Sequence, residues 1–84
     1  MALAYVALGL VGEGGEFSEK VKKLIRDGTF DKRLALLELS DVLWYLAACA
    51  KELGSSLSDL AELNILKLTD RKERDVLLGS GDER

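Results

Sequence analysis

The feature that most restricts the fold is the distribution of helix-breaking residues. The chain has no proline, and its apolar residues recur along its whole length at the three- and four-residue spacings of α-helices. The clearest breaks in this pattern are at Gly28 and Gly54, and glycine commonly ends a helix. No stretch shows a convincing strand pattern. The sequence therefore predicts an all-α protein whose antiparallel helices form a four-helix-bundle-like core.

Local capping signals set the boundaries of three predicted helices. Asp31 is a suitable N-cap, because its carboxylate can accept from the free amides of a first helical turn. The run Ser-Leu-Ser-Asp that starts at Ser56 matches the capping-box pattern. We expect helices from about Ala4 to Asp27, from Asp31 to Leu53, and from Ser56 to about Arg71 or Arg74.

The chain is small for such an apolar composition. It has 84 residues, of which 48% are hydrophobic, and its single cysteine allows no internal disulfide. A chain of this length buries only about 60–65% of the surface that its unfolded form exposes. Self-association is the natural remedy. We expect one domain over residues 1–84, with a flexible tail at 76–84, that completes its core by forming a homo-oligomer, either a dimer or a tetramer.

Charge and hydropathy exclude several classes of partner. The formal net charge of −3 argues against a nucleic-acid partner, because binding to a phosphate backbone favours a basic surface. The apolar run Ala2–Val11 is too short to span a bilayer. It also lacks the basic segment that begins a signal peptide. These features predict a cytoplasmic protein that binds neither nucleic acid nor membrane.

Two pairs of acidic residues stand out from the helical pattern. Glu13 and Glu16 are three residues apart on the first helix, and Glu38 and Asp41 are three apart on the second. This spacing places the members of each pair on one helix face. For a single pair the usual interpretation is a solvated surface, and the glycines around the first pair would then form a loop. Glu38 and Asp41, however, lie within a leucine-rich run, where uncompensated carboxylates are costly. Two such pairs on facing helices predict a metal site.

The ligand set favours a hard cation. The chain has no histidine and one cysteine, which disfavours zinc sites and the histidine-containing di-iron sites of helical bundles. Four carboxylates suit Mg²⁺, with Mn²⁺ as a possible substitute, and these ions usually engage substrate phosphates. We therefore predict Glu13, Glu16, Glu38 and Asp41 as metal ligands. Three glycines beside the first pair would leave room for a phosphate chain and a hydrated ion; they are Gly12, Gly14 and Gly15.

The segments GLVGEGGEFSEKVKKLIRDG and ELSDVLWYLAACAKELGSSLSDLAELNILKL resemble the MazG-like nucleoside triphosphate pyrophosphohydrolases. The likeness continues into KLTDRKERDVLLGSGDER. It implies an all-α enzyme that binds Mg²⁺ through the four acids and cleaves a nucleoside triphosphate between its α and β phosphates. Such an enzyme would release a monophosphate and pyrophosphate and would remove unwanted nucleotides from the cellular pool. Phosphoribosyl-ATP pyrophosphatases and dimeric dUTPases resemble the same acid pattern.

Several further residues are candidates for contacts with the substrate. Tyr45 follows Asp41 by four residues, so it lies on the face of the metal ligands and would either contact the nucleoside or pack as a half-buried aromatic. On the third helix, Asn64, Lys67 and Arg71 form a polar and cationic row that would hold sugar and phosphates, unless it is an ordinary solvated face. The family resemblance favours a functional role for Asn64 and Lys67. Lys20 and Lys23 would meet the phosphates or pair with nearby acids.

These assignments predict metal-assisted hydrolysis. Glu38 or Glu16 would be the catalytic carboxylate that orients the attacking water or accepts its proton. Two other functions are compatible with the same sequence. One is a non-catalytic interaction module in which bound cations stabilise a helical oligomer, and the other is a helical adaptor that binds no metal.

Overall fold

The computed structural model describes residues 2–78 and consists of α-helices joined by short turns. Helix α1 spans Ala2–Asp27, α2 spans Lys32–Glu52 and α3 spans Leu57–Leu78. Residues 2–78 contain no strand, so the all-α prediction is confirmed. Helix α1 begins two residues earlier than expected. Helix α3 continues past Arg71 and Arg74, so the predicted end of the third helix was wrong.

The predicted caps are confirmed at both interhelical turns. The Leu34 amide donates to the Asp31 carboxylate over 3.1 Å. The Asp59 amide likewise donates to the Ser56 hydroxyl over 3.1 Å. Gly28 and Gly54 both adopt a φ of +74°, a left-handed conformation that side chains disfavour. Local residue chemistry therefore explains where α1 ends and where α2 begins and ends.

Helices α1 and α2 form an antiparallel hairpin. Lys20 on α1 pairs with Glu38 on α2, whereas the earlier Gly9 lies against the later Tyr45. Positions on α1 therefore advance as their partners on α2 recede. The buried apolar residues of the described chain are Val6, Ala35 and Ala50. The core of the hairpin is consequently small.

The chain divides into two compact units. The first is the α1–α2 hairpin, which extends to Gly54, and the second begins at Ser55 and contains α3. Of the tail expected to be flexible, residues 76–78 are helical and the remainder lies outside the described residues. The single domain over residues 1–84 and the homo-oligomer stay predictions. No helix within residues 2–78 has the length and apolar character needed to cross a membrane.

Candidate metal centre

The antiparallel hairpin brings together acids that are far apart in the chain. Glu13 on α1 faces Glu38 and Asp41 on α2, and one carboxylate oxygen from each lies within 4.8 Å of the others. Glu13 and Glu38 are half-buried and Asp41 is exposed. The i, i+3 spacing on α2 places two of these oxygens on one side, and α1 supplies the third. Three of the four predicted ligands therefore converge.

This cluster fits a small divalent cation. Mg²⁺ binds oxygen ligands at about 2.0–2.1 Å in octahedral geometry, so opposite ligands lie about 4.2 Å apart. Adjacent ligands on the same ion lie only about 3.0 Å apart, so the three oxygens, which lie within 4.8 Å of one another, would have to draw closer by side-chain movement. Three protein oxygens would leave other coordination positions for water and phosphate. The donor set is entirely oxygen, which suits Mg²⁺ or Mn²⁺.

The electrostatics of the cluster are those of crowded negative charge. Desolvation raises the pKa of Glu13 above its ordinary value of 4.5, and the charges of Asp41, Glu38 and Glu16 raise it further. A hydrogen bond with the Glu38 side chain acts in the same direction. Each effect favours the neutral acid over the carboxylate. A cation at this position would reverse that preference, because it would stabilise the ionised form.

One cation of the chain already lies beside this cluster. The Lys20 ammonium is 3.8 Å from Oε1 of Glu38, and the two side chains are 26% and 22% exposed. Lys20 follows Glu13 by seven residues, or about two helical turns, so both project from the same side of α1. The alternative in which Lys20 pairs with a nearby acid is observed. Its contact with substrate phosphate stays a prediction.

Glu16 occupies a different position from the other predicted ligands. It is exposed, and it does not belong to the group of three acids with converging oxygens. Its charge nevertheless contributes to the raised pKa of Glu13. The geometry of the cluster therefore does not support the predicted roles of Glu16 as metal ligand and catalytic base, and both roles stay predictions.

The acids on α2 are not buried, although the sequence around them is rich in leucine. No polar or charged residue within residues 2–78 is buried. The neighbouring Leu37 and Leu39 are themselves more than 40% exposed, because α1 covers only part of the surface of α2. A leucine-rich sequence around an acid thus did not ensure a dry environment. The convergence of acids, rather than their burial, now supports a metal site.

The glycines near the first acid pair lie within α1 and not in a loop. A Cβ added at Gly12, Gly14 or Gly15 would have no other atom within 4 Å. These three positions border open space, and their role in accommodating a ligand stays a prediction. Gly9 is different, because a Cβ there would overlap the Tyr45 ring, lying 2.6 Å from Cδ1 and Cζ. Sequence analysis missed Gly9, although a lone glycine within a helical pattern was a signal of close packing.

Tyr45 has a clear packing role in the hairpin. Its ring lies on the α1 backbone at Gly9. It also meets the ring of Trp44 edge to face, with centroids 5.0 Å apart and planes at 86°. Edge-to-face geometry is favourable between aromatic rings. The packing alternative for Tyr45 is thus observed, and its contact with a nucleoside stays a prediction.

The remaining predicted substrate residues lie in two places. Asn64, Lys67 and Arg71 lie on one face of α3, with the first two exposed and Arg71 half-buried. Because α3 belongs to the second unit, their contribution to the acid site stays a prediction. Lys23 lines a groove of about 270 Å³ at the turn end of the α1–α2 hairpin. The groove is lined by Glu19, Lys20, Lys23, Arg26, Thr29, Asp31 and Leu34.

Comparison with known proteins gives two matches. The family model described as the MazG nucleotide pyrophosphohydrolase domain matches residues 3–76. The chain is also 48% identical, over 87 residues, to the Gene 37 protein of Mycobacterium phage L5. That alignment covers 98% of this chain and 76% of the phage protein. No solved structure gives a significant match.

Proposed function

Because the chain belongs to the MazG nucleotide pyrophosphohydrolase domain family, we propose that it hydrolyses nucleoside triphosphates to monophosphates and pyrophosphate with Mg²⁺. The substrate is a ribo- or deoxyribonucleotide, and the reaction removes unwanted nucleotides from the cytoplasmic pool. The observation that carries the proposal is the convergence of Glu13, Glu38 and Asp41 oxygens within 4.8 Å. Family membership supports the reaction type, and the oxygen cluster supports the metal.

The metal requirement follows from the charges on both sides of the site. A triphosphate brings several negative charges to a surface where acid side chains already repel one another. Bound Mg²⁺, for which Mn²⁺ would substitute, neutralises phosphate oxygens and lowers the pKa of water. Glu13, Glu38 and Asp41 would hold the ion. Glu16 would join them after a change of side-chain conformation.

Hydrolysis requires a base and an oriented water. Glu38 is the proposed base, because it is half-buried and lies between Glu13 and Lys20. The Glu38 carboxylate accepts the proton as the water oxygen attacks the α-phosphorus in line. A bond forms between that oxygen and phosphorus, and the bond from phosphorus to the bridging oxygen breaks. Pyrophosphate takes the bonding electrons and leaves.

Other side chains of this chain would hold the substrate. Lys20 and Lys23 lie near the acid cluster and its adjoining groove, where they would offset the charge of the leaving pyrophosphate. Asn64, Lys67 and Arg71 would bind sugar and phosphates. Tyr45 would contribute an aromatic edge to the nucleoside in addition to its packing role.

The reaction is tested by supplying each ribo- and deoxyribonucleoside triphosphate to the purified chain, in Mg²⁺ and in excess chelator. We expect monophosphate and pyrophosphate to appear together, only with metal, and without release of orthophosphate. Isotopically labelled water should place its oxygen in the monophosphate, as attack on the α-phosphorus requires. Label in pyrophosphate, or orthophosphate as the product, would contradict the proposed cleavage.

A metal-stabilised interaction module is the second candidate, favoured by exposed apolar residues on all three helices. Thermal melting separates it from a metal-free adaptor, and the turnover assay separates it from the enzyme. Mg²⁺ should raise the melting temperature, because it binds the folded chain preferentially. Stabilisation without turnover would identify the module. Identical melting curves in Mg²⁺ and in chelator would exclude the metal site and support the adaptor.

A further inference from the structure

The contact between Lys20 and Glu38 crosses the hairpin at the acid cluster. The ammonium lies 3.8 Å from Oε1, beyond the 2.7–3.2 Å range of N–H···O hydrogen bonds. It is therefore an ion pair without a short hydrogen bond. Both side chains are only about a quarter exposed, so water screens the pair incompletely. The Lys20 ammonium is therefore close enough to neutralise the Glu38 carboxylate. Because no short hydrogen bond holds it there, it can also move away.

Glu38 cannot serve this ammonium and a divalent cation equally well. An ion held by the three acids would draw the Glu38 carboxylate toward Glu13 and Asp41, and its positive charge would repel a nearby ammonium. We propose that Lys20 is the counter-ion of the metal-free site: it holds Glu38 until a divalent cation binds, and the cation displaces it. Lys20 is thus a positioning residue that acts through Glu38. The inference rests on the metal site of the proposed function.

The displaced ammonium has a polar destination. Lys20 also lines the groove of about 270 Å³ at the turn end of the hairpin. Glu19 and Asp31 line the same groove together with Lys23 and Arg26, so the displaced charge would be shared between the two carboxylates and solvent. Movement of the flexible lysine side chain is therefore sufficient, and neither helix has to shift.

The test is a titration of the full chain with Mn²⁺ after metal has been removed with chelator. Binding is measured as the decrease in the electron paramagnetic resonance signal of free Mn²⁺. Lys20→Met keeps the aliphatic stem and removes the competitor, so Mn²⁺ should bind about two- to fivefold more tightly, the range expected for a partly exposed ion pair. Lys22→Met is the matched control. It removes the same charge from the same helix, but Lys22 is 67% exposed and pairs with Glu19. Its Mn²⁺ affinity should equal that of the wild type.

Two further measurements distinguish competition from a general structural effect. Lys20→Met should lower the melting temperature in chelator, and this loss should disappear in a Glu38→Gln background, because the pair is already broken there. Lys20→Arg keeps a positive charge, and its guanidinium group matches the geometry of a carboxylate. Because the competitor for Glu38 is retained, this variant should bind Mn²⁺ no more tightly than the wild type.

The proposal is overturned if Lys20→Met binds Mn²⁺ no more tightly than Lys22→Met. If Lys20→Met does not fold, tighter binding by Lys20→Arg than by the wild type would overturn it instead. These readouts need no turnover. If Lys20 competes with Mn²⁺ for Glu38 but the chain hydrolyses no nucleotide, only the enzymatic proposal is refuted. If the chain hydrolyses nucleotides but Lys20 does not compete with Mn²⁺, only the role of Lys20 is refuted.

Discussion

At the scale of single residues, the candidate site is governed by repulsion among acids. Glu13 lies among Asp41, Glu38 and Glu16, and the pKa of its carboxyl is raised by desolvation and by these three charges. A raised pKa means that ionisation of Glu13 opposes folding when no cation is present. The same repulsion would favour the binding of a divalent ion. Stability and metal affinity are therefore linked through one side chain.

The first prediction is a pH dependence of the metal-free protein. Between the unfolded value near 4.5 and the raised pKa of Glu13, the folded chain binds more protons than the unfolded chain. The contribution of Glu13 to the free energy of unfolding therefore falls as pH rises through this window. Glu13→Gln should be more stable than the wild type at neutral pH, with the difference shrinking toward pH 4.5. Denaturant titrations in chelator measure this.

Glu62→Gln is the control for that experiment, because Glu62 is exposed on α3 and lies outside the acid cluster. Its stability relative to the wild type should show little dependence on pH. A Glu13→Gln chain that became less stable than the wild type at neutral pH in chelator would show that Glu13 is not repelled by its neighbours.

The second prediction concerns Glu38→Gln, which keeps the size of the side chain and one oxygen ligand but removes the charge. Turnover should fall by at least about a hundredfold, the usual scale for losing a positioned base or a charge-stabilising group. The stabilisation produced by Mg²⁺ should shrink. In chelator the substitution breaks the pair with Lys20 but also removes the repulsion between Glu38 and Glu13, and we expect the second effect to equal or exceed the first, so stability should stay equal or increase. Pyrophosphate release and thermal melting provide the two readouts.

Glu62→Gln again serves as the matched substitution and should leave turnover and metal stabilisation nearly unchanged. If Glu38→Gln destabilised the chain in chelator yet left pyrophosphate release intact, Glu38 would be a structural residue and not the base.

At the scale of helices, α1 packs tightly against α2 where the Tyr45 ring lies on Gly9. Gly9→Ala should destabilise the hairpin by up to about 2 kcal/mol, since overpacking costs about 1–3 kcal/mol and alanine recovers about 1 kcal/mol of helix propensity. Gly14→Ala places its Cβ in open space and should stabilise α1 by about 1 kcal/mol. Chemical denaturation measures both changes.

A second background identifies the cause of the Gly9 effect. In a Tyr45→Ala chain the ring is absent, so Gly9→Ala should become stabilising, as it is at an ordinary helical position. Persistence of the destabilisation in that background would mean that Tyr45 does not impose glycine at position 9. If Gly14 makes room for substrate, Gly14→Ala should also lose turnover while it gains stability.

The helix ends show what local sequence can predict. Asp31, Gly28 and Gly54 act through hydrogen bonds and backbone angles within a few residues, so their roles were predictable. The end of α3 was placed at Arg71 or Arg74, although no glycine follows until Gly79, and the helix continues to Leu78. Gly9 was missed because its requirement comes from Tyr45, 36 positions along the chain.

For the acid cluster, too, local sequence predicted some properties and not others. The i, i+3 spacing predicted which acids share a helix face, and the antiparallel hairpin brings Glu13 to Glu38 and Asp41. The exposure of Glu16 was not predictable, because it depends on how α1 is rotated against α2. The partial exposure of Glu38 likewise depends on how much of α2 is covered. Helix rotation and coverage are tertiary properties that a local pattern does not contain.

At the scale of the whole molecule, each of the two units has large apolar residues that are exposed among residues 2–78. Tyr5, Leu8 and Val11 follow one another at intervals of three on α1 and are 72–74% exposed. Trp44 on α2 is also exposed, as are Leu63 and Leu66 on α3. Rows of exposed apolar residues commonly mark an interaction surface. They support the homo-oligomer predicted from the sequence, in which a second copy would cover these residues.

The fourth prediction is therefore a stable dimer or tetramer at micromolar concentration, with Trp44 shielded between subunits. Light scattering gives the mass, and the fluorescence of Trp44 should shift to longer wavelength when dilution dissociates the assembly. Because the chain has one tryptophan, the signal reports on a single position. A folded monomer with unchanged emission across the dilution series would refute both the assembly and the placement of Trp44.

The four-residue turn between α1 and α2 should tolerate changes in length that the helices cannot. Loop closure depends only weakly on loop length, so residues inserted between Gly28 and Asp31 would lengthen the link while each helix kept its own acids aligned. One residue inserted between Glu38 and Asp41 would instead rotate one acid by about 100° relative to the other. Among related sequences, insertions and deletions in this hairpin should therefore be found at the turn and be absent between the paired acids.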